Sequence, residues 1–271
     1  MELFMKNAYL FALIFASVLF SLDAVTSDED TNACEENTII NEKSFTKDFE
    51  GMFNGKKLNY SASLKEKILY EKEDSSAPLA SFFYSEYIVD SKENRPVMFV
   101  FNGGPGSASL WLHMGVLGPK VVKVPSDASD DGSAPYDIVD NKLSPLSETD
   151  MVFIDPVGTG YSRAAGCHEG SEFWGVNEDP KIIAEFIRRW ITDNKRWNSP
   201  KYILGESYGG IRGPLLVSEL RSGDITPIEV NGLLMVAPAS DYQYLVFHPG
   251  NNSPHYGFFP SYAATAFYHG K

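Results

Sequence analysis

The chain has 271 residues, 43% of them hydrophobic and 13% aromatic, so it can bury the core of one large domain and is not expected to be disordered overall. It carries 23 Lys and Arg against 36 Asp and Glu, a formal net charge of −13. With this balance, and with no basic block interleaved with aromatic residues, nucleic acid is excluded as an expected partner.

The N-terminus contains an apolar run from Ala8 to Leu22, preceded by Lys6 and followed by a polar stretch. This pattern predicts a signal peptide over residues 1–24, cleaved after Ala24. A membrane anchor is the alternative, but the run falls short of the roughly 20 apolar residues that a spanning helix needs. We therefore expect a secreted or periplasmic protein with no stable membrane insertion after cleavage.

Residues 25–44 are acidic and polar without periodicity, which predicts a flexible tail before a folded domain over residues 45–271. The chain has two cysteines, Cys34 and Cys167. An exported chain meets an oxidising compartment, where two cysteines can pair. Because sequence alone does not place their Cα atoms within bonding distance, a disulfide and two unpaired thiols both remain open.

The first predicted elements are two strands, Leu58 to Glu71 and Ala80 to Asp90, which are rich in Tyr, Phe and Ile and partly alternate. Together they predict an antiparallel strand pair. Two short, continuous apolar runs follow, Pro96 to Phe101 and Met151 to Ile154, and each leads into a glycine-rich turn. Such runs are typical of strands buried on both faces of a sheet.

A helix is predicted to begin at Asp179-Pro180, with Asp179 as its cap and Pro180 in its first turn. Its apolar residues repeat at helical spacing: Ile182, Ile183, Phe186, Ile187, Trp190 and Ile191. The next predicted elements are a strand at Lys201 to Leu204, a helix at Ile211 to Arg221 and a strand at Val230 to Val236. This alternation of strand and helix predicts a mostly parallel sheet.

The last stretch, residues 240–271, is aromatic, and Pro249, Pro254 and Pro260 are expected to interrupt any long element. We expect this stretch to be loop-like and to begin an insertion over the site.

The segment Gly205 to Gly209 (GESYG) matches G-x-S-x-G and lies between the strand ending at Leu204 and the helix starting near Ile211. A nucleophile elbow requires this context, because its tight turn forces the serine into a strained conformation. Side chains two residues on either side would collide with the neighbouring strand and helix, so glycines are expected there. Ser207 is therefore the candidate nucleophile, against the alternative that the pattern arose by composition.

A second glycine-rich segment, Phe101 to Ser107 (FNGGPGS), also follows a predicted strand. Its amide hydrogens could point at an oxyanion, and acyl transfer needs two such donors. An ordinary tight turn is the alternative. A third segment, Asp155 to Ser162 (DPVGTGYS), lacks the complete spacing of a nucleotide-binding loop and is expected to be a structural turn bordering the cleft.

These three segments, NGGPGSAS, IDPVGTGYS and GESYGG, in this order and spacing resemble the serine carboxypeptidase family from about Leu58 to the end of the chain. The resemblance implies an α/β-hydrolase fold with a mostly parallel central sheet, helices on both faces and the C-terminal strands missing. Ser107, where many members carry Cys, resembles a bacterial-type branch and implies that a disulfide at that point is absent.

The resemblance also implies the site. Ser207 would be the nucleophile, the Gly104 and Tyr208 amides the oxyanion hole, and Asn102, Gly103 and Glu206 the groups that hold the substrate's C-terminal carboxylate. The implied activity is that of a serine-type carboxypeptidase, which cleaves C-terminal residues from peptides and proteins through an acyl-enzyme. No cofactor is implied.

Two departures from the family pattern leave alternatives open. The family glutamate ahead of Gly118-Pro119 is Val116 here, so half of an acid pair is lost and a carboxypeptidase-like acyltransferase remains possible. The family's Asp and His would lie beyond Lys271, so we expect the chain as given to be inactive, or a non-catalytic fragment or binding module. Five histidines are expected to be surface or packing residues without metal-ligand spacing: His113, His168, His248, His255 and His269.

Overall fold

A computed structural model describes residues 41–91, 94–125, 133–222 and 226–271, all within one compact unit, Thr38–Lys271. The predicted signal peptide lies outside the described residues, as does the predicted tail as far as residue 40. The strands are β1 (Ser44–Phe53), β2 (Lys56–Tyr70), β3 (Pro78–Val89), β4 (Val97–Phe101), β5 (Lys120–Val122), β6 (Ile138–Asp140), β7 (Asp150–Ile154), β8 (Arg163–Ala164), β9 (Lys201–Glu206) and β10 (Gly232–Val236). The long helices are α1 (Glu178–Asp193), α2 (Gly209–Ser222) and α3 (Ser253–Tyr268).

The main sheet has the order β1-β2-β3-β7-β4-β9-β10, with β8 paired to β3, while β5 and β6 form a separate ribbon. The ladders β7–β4, β4–β9 and β9–β10 are parallel, and the ladders among β1, β2, β3 and β7 are antiparallel. The predicted antiparallel pair is confirmed as β2 and β3. The alternation of strand and helix along the chain therefore produces the parallel half of the sheet, as expected from the sequence.

Strand β1 was not predicted, although the sequence contains a signal for it. Asn54-Gly55 joins β1 to β2, and both residues have left-handed backbone conformations, with φ of 47° and 78°. Asn-Gly is the preferred pair for such a two-residue hairpin turn. Just before β1, the Glu42 carboxylate accepts a hydrogen bond from the Ile68 amide at 3.0 Å. The end of the predicted tail is therefore attached to β2.

The sheet is buried on two faces. Val97, Phe99 and Phe101 of β4 point to the face covered by α1 and α2, whereas Met98 and Val100 point to the other. The predicted apolar residues of α1 are all buried against the first face. The second face is covered by the β1–β2 hairpin, a 3-10 turn at Pro145–Ser147 and short helical turns at Leu110–Leu112 and His113–Leu117.

The start of β4 is held by Arg196, which follows α1. Its Nη2 donates to the Arg95 carbonyl at 2.7 Å, and its Nη1 bonds Asp150 Oδ2 at 2.9 Å. Asp150 is buried and also accepts from Arg95 Nε at 3.1 Å. This cluster fixes the N-terminal ends of β4 and β7 side by side.

The segment expected to be loop-like contains α3, a helix of 16 residues, so that prediction was wrong. Pro254 lies in the first turn, where no N–H is needed for the helix. Pro260 lies inside the helix, which continues through it into the helix-forming stretch at Ala263 and Ala264. A proline removes one hydrogen bond of a helix but does not always end it.

His113 is a packing residue of the second-face core. Its ring stacks on Phe153 with centroids 4.5 Å apart, and its Nε2 lies 2.6 Å from the Tyr87 hydroxyl. Burial lowers the pKa of His113 from 6.5 to about 4 because the charged ring is desolvated. The imidazole is therefore neutral at physiological pH.

Cys167 is disulfide-bonded. Of the two alternatives left open by the sequence, the structure thus has the oxidised one at this position. The chain's other cysteine, Cys34, lies outside the described residues.

Strand β10 is the edge of the main sheet, and its apolar side chains are poorly covered. Leu234, Met235 and Val236 are 43%, 48% and 42% exposed, respectively. Leu233 instead packs against α2, close to Gly213. The described residues therefore leave an apolar edge open to solvent, which favours association through unpaired backbone groups.

We predict that Leu234→Lys will reduce aggregation of the chain without lowering its melting temperature, because a charge on an edge strand opposes edge-to-edge pairing. Leu204→Lys is the matched control, since Leu204 is the buried partner of Leu234 in the β9–β10 register. It should destabilise the chain by about 3 to 5 kcal/mol through an unpaired buried charge. Light scattering and thermal melts check both, and an aggregation rate unaffected by Leu234→Lys would contradict the interpretation.

We predict that His113 makes the chain less stable as the pH falls from about 6.5 to about 4. Over this range the unfolded chain takes up a proton on His113 that the folded chain does not, so stability is lost on acidification. The shift corresponds to about 3 kcal/mol at most. In His113→Gln this contribution should be absent, as measured by urea unfolding at several pH values.

Tyr87→Phe is the control for this measurement. It removes the hydroxyl that contacts His113 but leaves the histidine in place. The acid-dependent loss should therefore persist in Tyr87→Phe, and its persistence in His113→Gln as well would refute the assignment.

Candidate active site

Ser207 occupies the turn between β9 and α2 in a left-handed conformation, with φ of 57°. The Ser207 N–H donates to the Val236 carbonyl at 3.0 Å, and its carbonyl accepts from the amides of Gly210 and Ala239, both at 2.8 Å. A left-handed serine is uncommon and costs free energy. The bonds to Val236, the last residue of β10, and to Ala239, which follows the strand, hold Ser207 in this conformation.

The glycines around Ser207 are required by space, although not all equally. A Cβ at Gly205 would lie 2.6 Å from the Gly209 carbonyl oxygen and 2.8 Å from the Phe101 ring. At Gly209 itself the nearest atom would be 3.4 Å away, a contact that small shifts could relieve. Gly210 is more crowded, because a Cβ there would lie 2.5 Å from Pro238. Gly205 and Gly210, rather than Gly205 and Gly209, are thus the crowded positions.

The glycine-rich loop after β4 lies directly against this turn. A Cβ at Gly103 would lie 2.5 Å from the Glu206 carbonyl oxygen and closer still to the Tyr208 nitrogen. Gly104 has φ of 108°, which a side chain would rarely allow. Two backbone segments bearing N–H groups therefore meet beside Ser207, an arrangement that is chemically able to stabilise an oxyanion.

Asn102, Gly103 and Glu206 also lie together. Glu206 Oε2 accepts hydrogen bonds from Asn102 Nδ2 at 3.1 Å and from the Gly103 N–H at 3.4 Å. Asn102 is fully buried, and its Oδ1 accepts from the Leu112 amide at 3.0 Å. This bond fixes the side-chain amide so that its NH₂ group points towards Glu206. Val116, which the resemblance places where the family has a glutamate, is exposed.

Arg212 and Asp179, which were not predicted as site residues from the sequence, form a buried ion pair beneath the site. Arg212 is 2% exposed, and its Nε bonds Asp179 Oδ2 at 2.7 Å. Its Nη1 donates to the Asn102 carbonyl at 2.7 Å, and the guanidinium lies 5.2 Å from the ring centroids of both Phe101 and Tyr208. An arginine among the glycines and apolar residues of the first half of α2 was the signal that could have revealed it.

The prediction that Asp179 caps α1 was wrong. The residue preceding the helix is Asn177, which makes no side-chain capping bond, and Asp179 lies in the first turn. Burial raises the pKa of Asp179, and the neighbouring Arg212 opposes that effect. The Asp179 carboxylate instead accepts a charge-assisted hydrogen bond from Arg212.

Asp155 closes β7 at the start of the segment predicted to be a structural turn. Its Oδ1 accepts the Ser109 amide at 2.8 Å, and burial raises the pKa of the carboxyl. Asp155 therefore ties this turn to the residues that follow the glycine-rich loop. A cavity of about 330 Å³ opens between the two loops, with Trp174 among its lining residues and Asp179 and Arg212 also reaching it.

The five histidines do not complete a catalytic set. Within the described residues, none is hydrogen-bonded to Ser207. His168 lies between Glu71 and Glu172, at 2.8 and 2.9 Å, and these carboxylates raise its pKa. His113 is the packing residue described above, and the remaining three histidines lie in the last segment: His248, His255 and His269.

No group of three or more His, Cys, Asp and Glu able to hold a metal ion occurs in the described part of the chain. Among the helices that the structure describes, none is long and apolar enough to cross a membrane.

Two curated plant proteins of Arabidopsis thaliana are similar to this chain. Serine carboxypeptidase-like 2 is 30% identical over 167 residues, covering 58% of this chain and 36% of the relative. Serine carboxypeptidase-like 5 is 30% identical over 175 residues, covering 59% and 38%. The chain thus spans less than two fifths of the length of these relatives. Neither supports the expected bacterial-type branch.

Among solved structures, the chain is similar to Kex1(delta)p, a prohormone-processing carboxypeptidase from Saccharomyces cerevisiae. The TM-score is 0.52 at 20% identity, with 78% of this chain and 47% of that chain covered. This similarity concerns the fold and, with the sheet order above, confirms the expected α/β-hydrolase fold. The model of the serine carboxypeptidase family matches residues 62–248, more than half of the chain. The chain therefore belongs to the serine carboxypeptidase family.

Proposed function

We propose that this protein is a serine-type carboxypeptidase in which Ser207 is the nucleophile and peptide or protein C-termini are the substrates. The observation that carries the proposal is the left-handed turn at Ser207, against which the Gly103 backbone packs beside the Tyr208 amide. Strained residues held by their surroundings are typical of catalytic sites. Family membership supports the same reaction class.

In the proposed reaction, Ser207 Oγ attacks the carbonyl carbon of the last peptide bond while a general base accepts its proton. The negative charge that develops on the carbonyl oxygen is stabilised by the N–H groups of Gly104 and Tyr208. The base then protonates the leaving amine, and the C–N bond breaks to release the C-terminal amino acid. Water hydrolyses the acyl-enzyme and restores the serine.

The preference for a C-terminal residue is assigned to Asn102, Gly103 and Glu206. The Asn102 side-chain amide and the Gly103 N–H, which both donate to Glu206 Oε2 here, would share these hydrogen bonds with the substrate's terminal carboxylate. A proton shared between Glu206 and that carboxylate would remove the repulsion between two like charges. Specificity would then depend on the carboxylate and not on the side chain of the last residue.

The general base and its acid partner are proposed to come from outside these 271 residues, because none of the five histidines contacts Ser207 within the described residues. The 271-residue chain alone is therefore proposed to be inactive, which leaves a non-catalytic binding module as an alternative role. Removing members of a catalytic triad typically costs on the order of a million-fold in turnover.

An acyltransferase on the same scaffold is a second candidate, and Val116 is the observation that favours it. An exposed apolar side chain replaces the carboxyl expected from the family. Without that carboxyl, the site would bind a substrate carboxylate more weakly. An alcohol could then take the acyl group from Ser207 in place of water.

We predict different activities for the 271-residue chain and for any longer product of the same gene. The chain alone should hydrolyse peptides no faster than background. In a longer product, a fluorophosphonate should label Ser207, and Ser207→Ala should abolish labelling and peptide hydrolysis together. Mass spectrometry of the labelled peptide and amino-acid release are the measurements.

Ser107→Ala is the control, because it alters a serine of the neighbouring loop that has no proposed role. It should retain both labelling and hydrolysis. Hydrolysis that persists in Ser207→Ala would refute Ser207 as the nucleophile. Ester products formed in the presence of alcohols would favour the acyltransferase.

The carboxylate site can be tested by binding alone. We predict that the 271-residue chain binds a peptide with a free C-terminus about 10 to 100 times more tightly than the same peptide with a C-terminal amide, as expected for charge-assisted hydrogen bonds. Asn102→Asp should abolish this preference, because it keeps the oxygen that accepts the Leu112 amide but replaces the donor by an anionic oxygen.

Asn54→Asp is the matched control, since Asn54 makes hydrogen bonds at the β1–β2 turn, outside the proposed site. It should leave the preference unchanged. Fluorescence polarisation with a dye at the peptide N-terminus measures all three proteins, and equal affinity of the acid and the amide for the unmodified chain would refute the proposed carboxylate site.

A further inference from the structure

We propose that Arg212 is a positioning residue that sets the separation between the glycine-rich loop and the Tyr208 amide, with Asp179 as its charge partner. The inference rests on the proposed function, since it concerns the two donors assigned there to the oxyanion. Arg212 itself need not touch a substrate for this role.

The two walls of the site belong to different elements. Gly103 and Gly104 follow β4, whereas Tyr208 precedes α2. The β4–β9 ladder ends with the pair Phe101 and Gly205, so that ladder does not fix the backbone beyond Phe101. Beyond the ladder, the loop is held at its distance from Tyr208 by the bonds of its residues to Glu206 and by Arg212.

Arg212 contacts both walls. Its Nη1 donates to the carbonyl of Asn102, the residue directly before Gly103, at 2.7 Å. Its guanidinium lies over the Tyr208 ring at 5.2 Å, and its own amide donates to the Tyr208 carbonyl at 3.0 Å. A guanidinium is planar and rigid, so bonds from its two sides fix the groups that they join.

Asp179 fixes the guanidinium in turn. It bonds Arg212 Nε at 2.7 Å from the first turn of α1, and both residues are buried. A buried ion pair is weak evidence for stability, because apolar residues of similar volume are often as good or better. The pair is therefore better explained by the geometry it imposes than by the stability it contributes.

The chain contains a matched pair at the other end of the same strand. Arg196 donates to the Arg95 carbonyl before β4 and is paired with Asp150, as Arg212 donates to the Asn102 carbonyl after β4 and is paired with Asp179. Arg196 lies at the opposite end of the strand from the glycine-rich loop. It provides a control with the same chemistry in a different place.

The test uses the double variant Arg212→Met with Asp179→Leu, which removes both charges and so avoids leaving one of them buried without a partner. In the 271-residue chain, amide hydrogen exchange should become at least about tenfold faster in the segment 102–113. This segment contains the protected amides of Ser109 and Leu112. Exchange in β3 and β7 should remain unchanged.

The second measurement is the rate of Ser207 phosphonylation in a protein form that a fluorophosphonate labels. The double variant should react about 10 to 100 times more slowly at an unchanged melting temperature, because misplaced donors stabilise the oxyanion less well. Arg196→Met should lower the melting temperature but leave both the exchange of segment 102–113 and the rate unchanged.

The two measurements separate the two hypotheses. Unchanged exchange in segment 102–113 of a folded double variant would overturn the positioning role whatever the enzyme activity. Faster exchange with no labelling of Ser207 in any form would support the positioning role and reject the proposed function. An unchanged labelling rate despite faster exchange would also overturn the role.

Discussion

The crowded turn between β9 and α2 constrains every element around the site. Ser207 is held in a left-handed conformation that costs a non-glycine residue about 1 to 2 kcal/mol. Its neighbours offset this cost through backbone hydrogen bonds to Val236 and Ala239. The space that the turn needs excludes side chains at Gly205 and Gly103. The glycines are therefore consequences of the position of Ser207. They let the loop after β4 approach the Tyr208 amide.

The same constraint explains why β4 is held at both ends. The loop after β4 passes close to the Tyr208 backbone, and side chains of other elements hold it there. Arg196 holds the carbonyl of Arg95 before the strand, and Arg212 holds that of Asn102 after it. Each arginine is oriented by a buried aspartate. The strand between them is apolar and fully buried, so it transmits this placement with little room to shift.

The elements that could be predicted from the sequence were those with a local signal. Continuous apolar runs indicated β4 and β7, helical spacing indicated α1, and G-x-S-x-G after a strand indicated the turn at Ser207. These patterns work because burial and backbone strain act on neighbouring residues. Helix α3 was missed because Pro254 and Pro260, like Pro249 before them, were expected to interrupt any long element, although Pro254 lies in the first turn and the helix continues through Pro260.

The contacts that could not be predicted join residues far apart in sequence. Asp179 precedes a proline at the start of a helix, which is the local pattern of a cap, and only the fold brings it to Arg212. Asp155 likewise holds the Ser109 amide, and neither residue carries a local sign of that bond. Roles carried over from the family thus cover the residues proposed to touch a substrate, but not those that hold them in place.

The edge strand β10 links the turn at Ser207 to the exposed edge of the sheet. Its carbonyl end binds the Ser207 amide through Val236, while the side chains of Leu234 and Val236 remain exposed. Leu234 lies on the same face of the sheet as its buried neighbour in register, Leu204. Edge strands open more readily than central ones. Opening of β10 would therefore also break the hydrogen bond from Ser207 to Val236 that holds the left-handed turn. Any segment that covers Leu234 and Val236 would therefore also stabilise the turn at the proposed nucleophile, without touching Ser207 itself.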